Sequence, residues 1–124
     1  MNENQKTILV VENDTVLSGM LMNALTLAGF HVVQAWNGIE GLDAVRAHKP
    51  DLMLLDIDMP EMNGITMLKK LHEEGNRTHA IILTNMNTPE QVANATEEGA
   101  YEYLIKADWE LDQIVEQIKL KLKV

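Results

Sequence analysis

Leu52-Met53-Leu54-Leu55-Asp56-Ile57-Asp58-Met59-Pro60-Glu61-Met62-Asn63-Gly64 is the stretch on which the fold turns. Its leading apolar run reads as a strand buried on both faces, as in a parallel sheet covered by helices. The run ends in Asp56, shortly before a proline and a glycine. In open α/β sheets ligands bind beyond the carboxyl ends of the strands. A buried strand with a carboxylate at its tip is therefore presenting that carboxylate to something.

The same alternation extends in both directions. Thr7 to Val11 is a short β-branched strand. Leu17, Met20, Leu21, Ala24, Leu25 and Ala28 recur at helical spacing, which places Met20 on the core face, and Gly29 closes that helix. Phe30 to Ala35 reads as a second strand, Asn37-Gly38 as a turn, and Ile39 to His48 as a helix stopped by Pro50. After the Leu52–Leu55 strand, Ile65, Leu68 and Leu71 mark a helix that ends at Gly75. Ala80 to Leu83 is a fourth strand. Thr88-Pro89-Glu90-Gln91 is a helix start, with Thr88 as N-cap, Pro89 at the first helical position and Gln91 completing a capping box. That helix ends at Gly99, Tyr101 to Ile105 is the fifth strand, and Leu111, Ile114, Val115, Ile118 and Leu122 mark the last helix. Strands alternating with helices imply a parallel sheet with right-handed crossovers. With 124 residues and no linker or internal repeat, the expectation is one α/β domain over residues 1–124 with no output domain.

Composition narrows the chemistry. A net charge of −9 argues against direct nucleic-acid binding and against anionic membranes. The absence of cysteine removes disulfides, thiolate metal sites and thiol catalysis. No apolar run reaches membrane-spanning length and no secretory leader is recognisable, so a cytoplasmic location is expected. Of the eight methionines, Met20 and Met53 read as core filler, and the scattered His31, His48, His72 and His79 as neither phosphodonors nor zinc ligands.

The residues after each strand share one sheet edge. They are Glu12-Asn13-Asp14, then Asp56 with Asp58 two residues on, then Thr84-Asn85, then Lys106. Taken singly each has a plain structural reading: Asn13 or Asp14 as a helix N-cap, Thr84 as a strand-end hydroxyl, Lys106 as a solvated lysine. Together they form a set of carboxylates, a hydroxyl and a lysine. Close carboxylates repel unless a cation joins them, and an all-oxygen ligand set suits Mg2+. A lysine and a hydroxyl beside a metal-bound carboxylate are what a phosphoryl group requires, which makes Asp56 a candidate nucleophile forming an acyl phosphate.

The chain resembles the receiver domains of two-component response regulators, typified by the chemotaxis receiver. The resemblance rests on Ile8 to Asn13, on Asp56 to Gly64, on Leu83-Thr84 and on Gly99 to Lys106. It implies a flavodoxin-like (βα)5 fold with sheet order 2-1-3-4-5. It implies Mg2+-dependent phosphoryl transfer to Asp56 from the histidine of a sensor kinase or phosphotransfer protein. Asp56 would be phosphoacceptor and metal ligand, Glu12 and Asn13 would occupy the acidic-pair positions, and the Asp58 backbone carbonyl would complete the metal set. Thr84 would be the switch hydroxyl, Lys106 would hold a phosphoryl oxygen, and Tyr103 would be the aromatic that turns inward. The face made by the fourth helix, fifth strand and last helix would then meet a downstream protein. Such a module turns over no external substrate.

Three departures from the family pattern stand out. Asn13 replaces the usual second acid, which predicts weaker Mg2+ binding, with the Asp58 side chain as possible compensation through water. Asn85 follows the switch threonine where a small residue is usual. Ala107 stands where the family often has proline, followed by Trp109, read as packing with a partner contact as the alternative. Two other functions compete. A degenerate receiver would bind partners without phosphorylation, and Asn13 is its support. A haloacid-dehalogenase-type phosphatase would use Asp56-Ile57-Asp58 as its Asp-x-Asp pair, but that family carries the motif on its first strand.

Overall fold

The computed structural model describes residues 5–85, 88–100 and 102–124. Five parallel strands, β1 (Thr7–Val11), β2 (His31–Ala35), β3 (Leu52–Leu55), β4 (His79–Thr84) and β5 (Glu102–Ile105), lie in the order β2-β1-β3-β4-β5. The intervening helices are α1 (Thr15–Leu27), α2 (Gly38–His48), α3 (Gly64–Glu73), α4 (Pro89–Glu97) and α5 (Leu111–Leu122), with a 3-10 turn at Lys106–Asp108. This is the flavodoxin-like architecture that the resemblance implied.

The apolar strands account for the three layers. Successive side chains leave a strand on opposite faces. Ile8 and Val10 of β1 and Leu52 and Leu54 of β3 meet Leu21 and Leu25 of α1 and Ile114, Val115 and Ile118 of α5. Leu9, Val11, Met53 and Leu55 face the other way, onto Leu42 and Val45 of α2, Met67, Leu68 and Leu71 of α3, and Ala95 of α4. All four β3 residues are buried, as their unbroken apolar run requires.

Most local signals hold. Thr88 and Gln91 form a reciprocal capping box with Pro89 in the first turn of α4. Gly29, Gly75 and Gly99 all take positive φ just beyond a helix. At the first, Gly29 donates to the Thr26 carbonyl and Phe30 to the Leu25 carbonyl, the paired bonds that close a helix through a left-handed residue.

Four expectations need correction. Met20 is 49% exposed rather than on the core face, because Leu21 and Leu25 fill the buried stripe of α1. Asn37-Gly38 is not a turn: Asn37 caps α2 by accepting from the Glu40 N–H at 2.9 Å, and Gly38 is the first helical residue. Phe30 is buried but precedes β2, its N–H being committed to the end of α1. β4 runs from His79 to Thr84, so Thr84 ends the strand rather than following it. Tyr101, expected to open β5, lies outside the described residues.

Candidate functional site

The carboxyl ends of β1, β3, β4 and β5 converge as the sheet order requires, with Val11 opposite Leu55, Leu55 opposite Ile82 and Thr84 opposite Ile105. Asp56 is tied to the next strand by its N–H, which donates to the Val11 carbonyl at 3.1 Å. Glu12 is tied likewise to the Ala35 carbonyl at 3.1 Å. These backbone bonds carry two carboxylates inward: Glu12 is 3% exposed and Asp56 5%. Thr84 is wholly buried between them and β5 in sheet order.

Two close carboxylates demand a cation, and the chain supplies one. The Lys106 ammonium lies 2.7 Å from Glu12 Oε1 and 2.7 Å from Asp56 Oδ2. Lys106 is thus not the solvated surface lysine of the plain reading. Backbone N–H groups satisfy the remaining oxygens. Asp14 donates to Glu12 Oε2 at 3.0 Å and Asp58 donates to Asp56 Oδ1 at 3.1 Å. The Asp14 side chain caps α1 by accepting from Val16 and Leu17, which fixes its N-cap role.

The electrostatics follow from that packing. Burial raises the Glu12 pKa above its ordinary value, against the lowering effect of the Lys106 and Asp14 bonds. Burial opposes the charge on Lys106, yet the bonds from Asp56 and Glu12 outweigh it and hold the ammonium above its usual range. The Tyr103 hydroxyl is also raised, first by burial and then by the negative charge of Asp56. Tyr103 packs partly buried against the core shared with α2, α3 and α4. Trp109 packs against the α1–α5 core, which matches the packing reading.

Other predicted residues sit at the rim. Asn13, Asp58 and Asn85 are exposed. Among the described residues no three His, Cys, Asp or Glu side chains assemble as a metal group. The reason is visible: only Glu12 and Asp56 are buried acids, the third position is the amide Asn13, and the Asp58 side chain points to solvent. The donors that the resemblance implied, the Glu12 and Asp56 carboxylates, the Asn13 amide and the Asp58 carbonyl, are all oxygen. That donor set fits a hard divalent ion better than a soft one. Among the described residues no helix is long and apolar enough to cross a membrane.

Sequence reasoning missed how the loop after Asp56 is held. A Cβ at Gly64 would lie 2.3 Å from the Asp56 carbonyl oxygen, so only glycine lets α3 begin there. Asn63 caps α3 by accepting from the Thr66 N–H, and Gly64 donates to the Ile57 carbonyl at 3.1 Å. The signal was the Met62-Asn63-Gly64 tripeptide, legible as a helix start but silent about the backbone it would approach.

Known proteins share this fold. The model of the response regulator receiver domain matches residues 8–119. The chain is 33% identical over 116 residues to the chemotaxis protein CheY of Bacillus subtilis, covering 93% of this chain and 96% of that one. It is 32% identical over 102 residues to CheY of Thermotoga maritima, covering 82% and 85%. It spans about half, 47%, of the probable C4-dicarboxylate response regulator DctR of Priestia megaterium, at 32% identity. A CheY-like receiver domain protein from Methanospirillum hungatei superposes with a TM-score of 0.91 at 29% identity, covering 97% and 95% of the two chains. From the buried acids bridged by a lysine to these alignments, the conclusion is one: the chain belongs to the receiver-domain family of two-component response regulators.

Proposed function

We propose that this receiver is phosphorylated on Asp56 and that its phosphorylation state is read by another protein. The observation that carries this is the Lys106 ammonium held 2.7 Å from both Asp56 and Glu12. A lysine locked to the acceptor carboxylate is placed to follow an added phosphoryl group. In the transfer, an Asp56 oxygen attacks the phosphorus of a phosphohistidine on a kinase or phosphotransfer protein. The P–O bond forms, the P–N bond breaks, and its electron pair returns to the imidazole. Lys106 then shares its ammonium with a phosphoryl oxygen, and the buried Thr84 hydroxyl donates to another.

Glu12, Asn13, Asp56 and the Asp58 carbonyl would hold Mg2+, whose role is to neutralise charge on the transferring group. Phosphorylation adds about one to two negative charges. That charge acts on Thr84, at the end of β4, and on Tyr103, within β5, and so on the face of α4, β5 and α5 where a downstream protein would bind. The chain would work in the cytoplasm on protein partners, with no external substrate. The motif at the tip of β3, not β1, counts against the phosphatase reading.

The test is intact-mass measurement after incubation with acetyl phosphate and Mg2+, beside Asp56→Asn. A single phosphoryl adduct on the wild type, absent from the variant, is expected. No adduct where a control receiver labels would favour the phosphorylation-independent receiver that Asn13 suggests.

A further inference from the structure

We infer that Gly38, at the start of α2, is a positioning residue for the loop that carries Asp58. Gly38 does not have a positive φ, and Asn37 already caps the helix, so neither turn geometry nor capping calls for glycine here. What calls for it is space. A Cβ at Gly38 would lie 2.4 Å from the Met62 carbonyl oxygen, 2.8 Å from its Cβ and 2.9 Å from its Cγ. The first contact is with backbone, which cannot swing aside as a side chain can.

Met62 belongs to the loop joining β3 to α3. That loop is closely folded: Asp58 donates to Asp56 Oδ1, Met62 donates to the Pro60 carbonyl at 2.7 Å, and Glu61 between them takes φ 68°. Gly64 seats against the Asp56 carbonyl, bringing the loop's two ends together, and Gly38 seats against Met62 near the α3 end. Ile57 and Met59 anchor the middle in the core. The loop thus has a sequence-distant support from α2. Gly38 therefore sets where the Asp58 backbone stands relative to Asp56. This rests on the reading that the Asp58 carbonyl is a metal ligand.

Gly41, one turn along the same helix face, provides the control. A Cβ there meets Met67 Sδ at 2.8 Å and Cε at 2.9 Å, the flexible end of a side chain rather than backbone, and Val11 Cγ1 at 3.3 Å. Gly38→Ala and Gly41→Ala are compared by thermal melting, by amide NMR of the metal-free protein and by calorimetric Mg2+ titration. Gly38→Ala is expected to shift the amides of Ile57, Asp58 and Met59 and to weaken Mg2+ binding about three- to tenfold. Gly41→Ala is expected to lower the melting temperature while leaving the Asp58 amide and Mg2+ affinity as in wild type. The double variant Gly38→Ala, Met62→Gly relieves the side-chain contacts and frees the carbonyl to rotate. It should recover much of the affinity, and it supplies the measurement if Gly38→Ala does not fold. Unmoved loop amides in Gly38→Ala, or moved amides with wild-type Mg2+ affinity, would overturn the inference. Failure of the wild type to bind Mg2+ would instead count against the functional reading, and the metal-free amide shifts would still decide for or against Gly38.

Discussion

Gly64 lies so close under Asp56 that a Cβ on it would stand 2.3 Å from the Asp56 carbonyl oxygen and 3.0 Å from Leu55 Cγ. The start of α3 and the tip of β3 are thus packed backbone to backbone. Crowding a filled site typically costs about 1–3 kcal/mol. Gly64→Ala should lose stability in that range by urea denaturation, with an unchanged m-value. Because the displaced atom belongs to Asp56 itself, the labelling rate with acetyl phosphate should also fall. An Ala variant as stable as wild type would show that α3 can tilt away without cost.

Lys106 bridges the two buried acids, and its removal tests what holds the site together. In Lys106→Met, Glu12 and Asp56 face each other with no counter-charge. Breaking a buried pair costs about 3–5 kcal/mol, and partial access of solvent to Lys106 places the expected loss near the lower end. The pH dependence carries the sign. Burial already raises Glu12, so its folded pKa exceeds its unfolded one and its charged form costs stability at neutral pH. Without Lys106 that cost grows, so the variant should regain stability relative to wild type as pH falls from neutral toward the range where Glu12 protonates. On the alkaline side the wild type behaves oppositely. The raised Lys106 contributes fully below its unfolded pKa of about 10.5 and loses that contribution as pH rises through the folded value. Denaturation midpoints across pH for both proteins check the two limbs.

Tyr103 reports on the charge of Asp56. Burial comes first in holding its hydroxyl above the ordinary value, and Asp56 adds to it. Asp56→Asn removes the second cause only. Spectrophotometric titration of the tyrosinate band should show one tyrosine ionising at lower pH in the variant, yet still above the usual value for tyrosine. Tyr103→Phe assigns that transition, since Tyr101 is the only other tyrosine. Identical titration curves for wild type and Asp56→Asn would mean that the Asp56 charge does not reach Tyr103.

The sequence made the architecture legible because each signal had one local cause. The apolar run of β3 admitted only burial, and Thr88-Pro89-Glu90-Gln91 only a helix start. Met20 failed because periodicity cannot tell the centre of a buried stripe from its margin, where Leu21 and Leu25 take the core. Gly38 failed because glycine signals turns most often, whereas here it makes room for Met62, a contact set by tertiary approach. Within the site, residue types at the strand tips announced the set, but not that one lysine would join both acids.

On the proposed ligand set, Asn13 would govern how tightly the site holds Mg2+. It stands exposed at the tip of β1, beside Glu12, where an amide oxygen offers a ligand without charge. Asn13→Asp adds one negative charge facing a divalent ion. At a few ångströms in a partly solvated site, that is worth about 1–3 kcal/mol of attraction, or roughly a tenfold or greater gain in affinity. The same charge is a liability in the metal-free protein, since it joins Glu12 and Asp56 with Lys106 already shared between them. The variant should therefore melt slightly lower than wild type without Mg2+ and higher with saturating Mg2+, so that the two melting curves cross in order as the ion is added. Calorimetric titration gives the affinity directly. Equal Mg2+ affinity for Asn13→Asp and wild type would remove Asn13 from the ligand set and leave Glu12, Asp56 and Asp58 to bind the ion unaided.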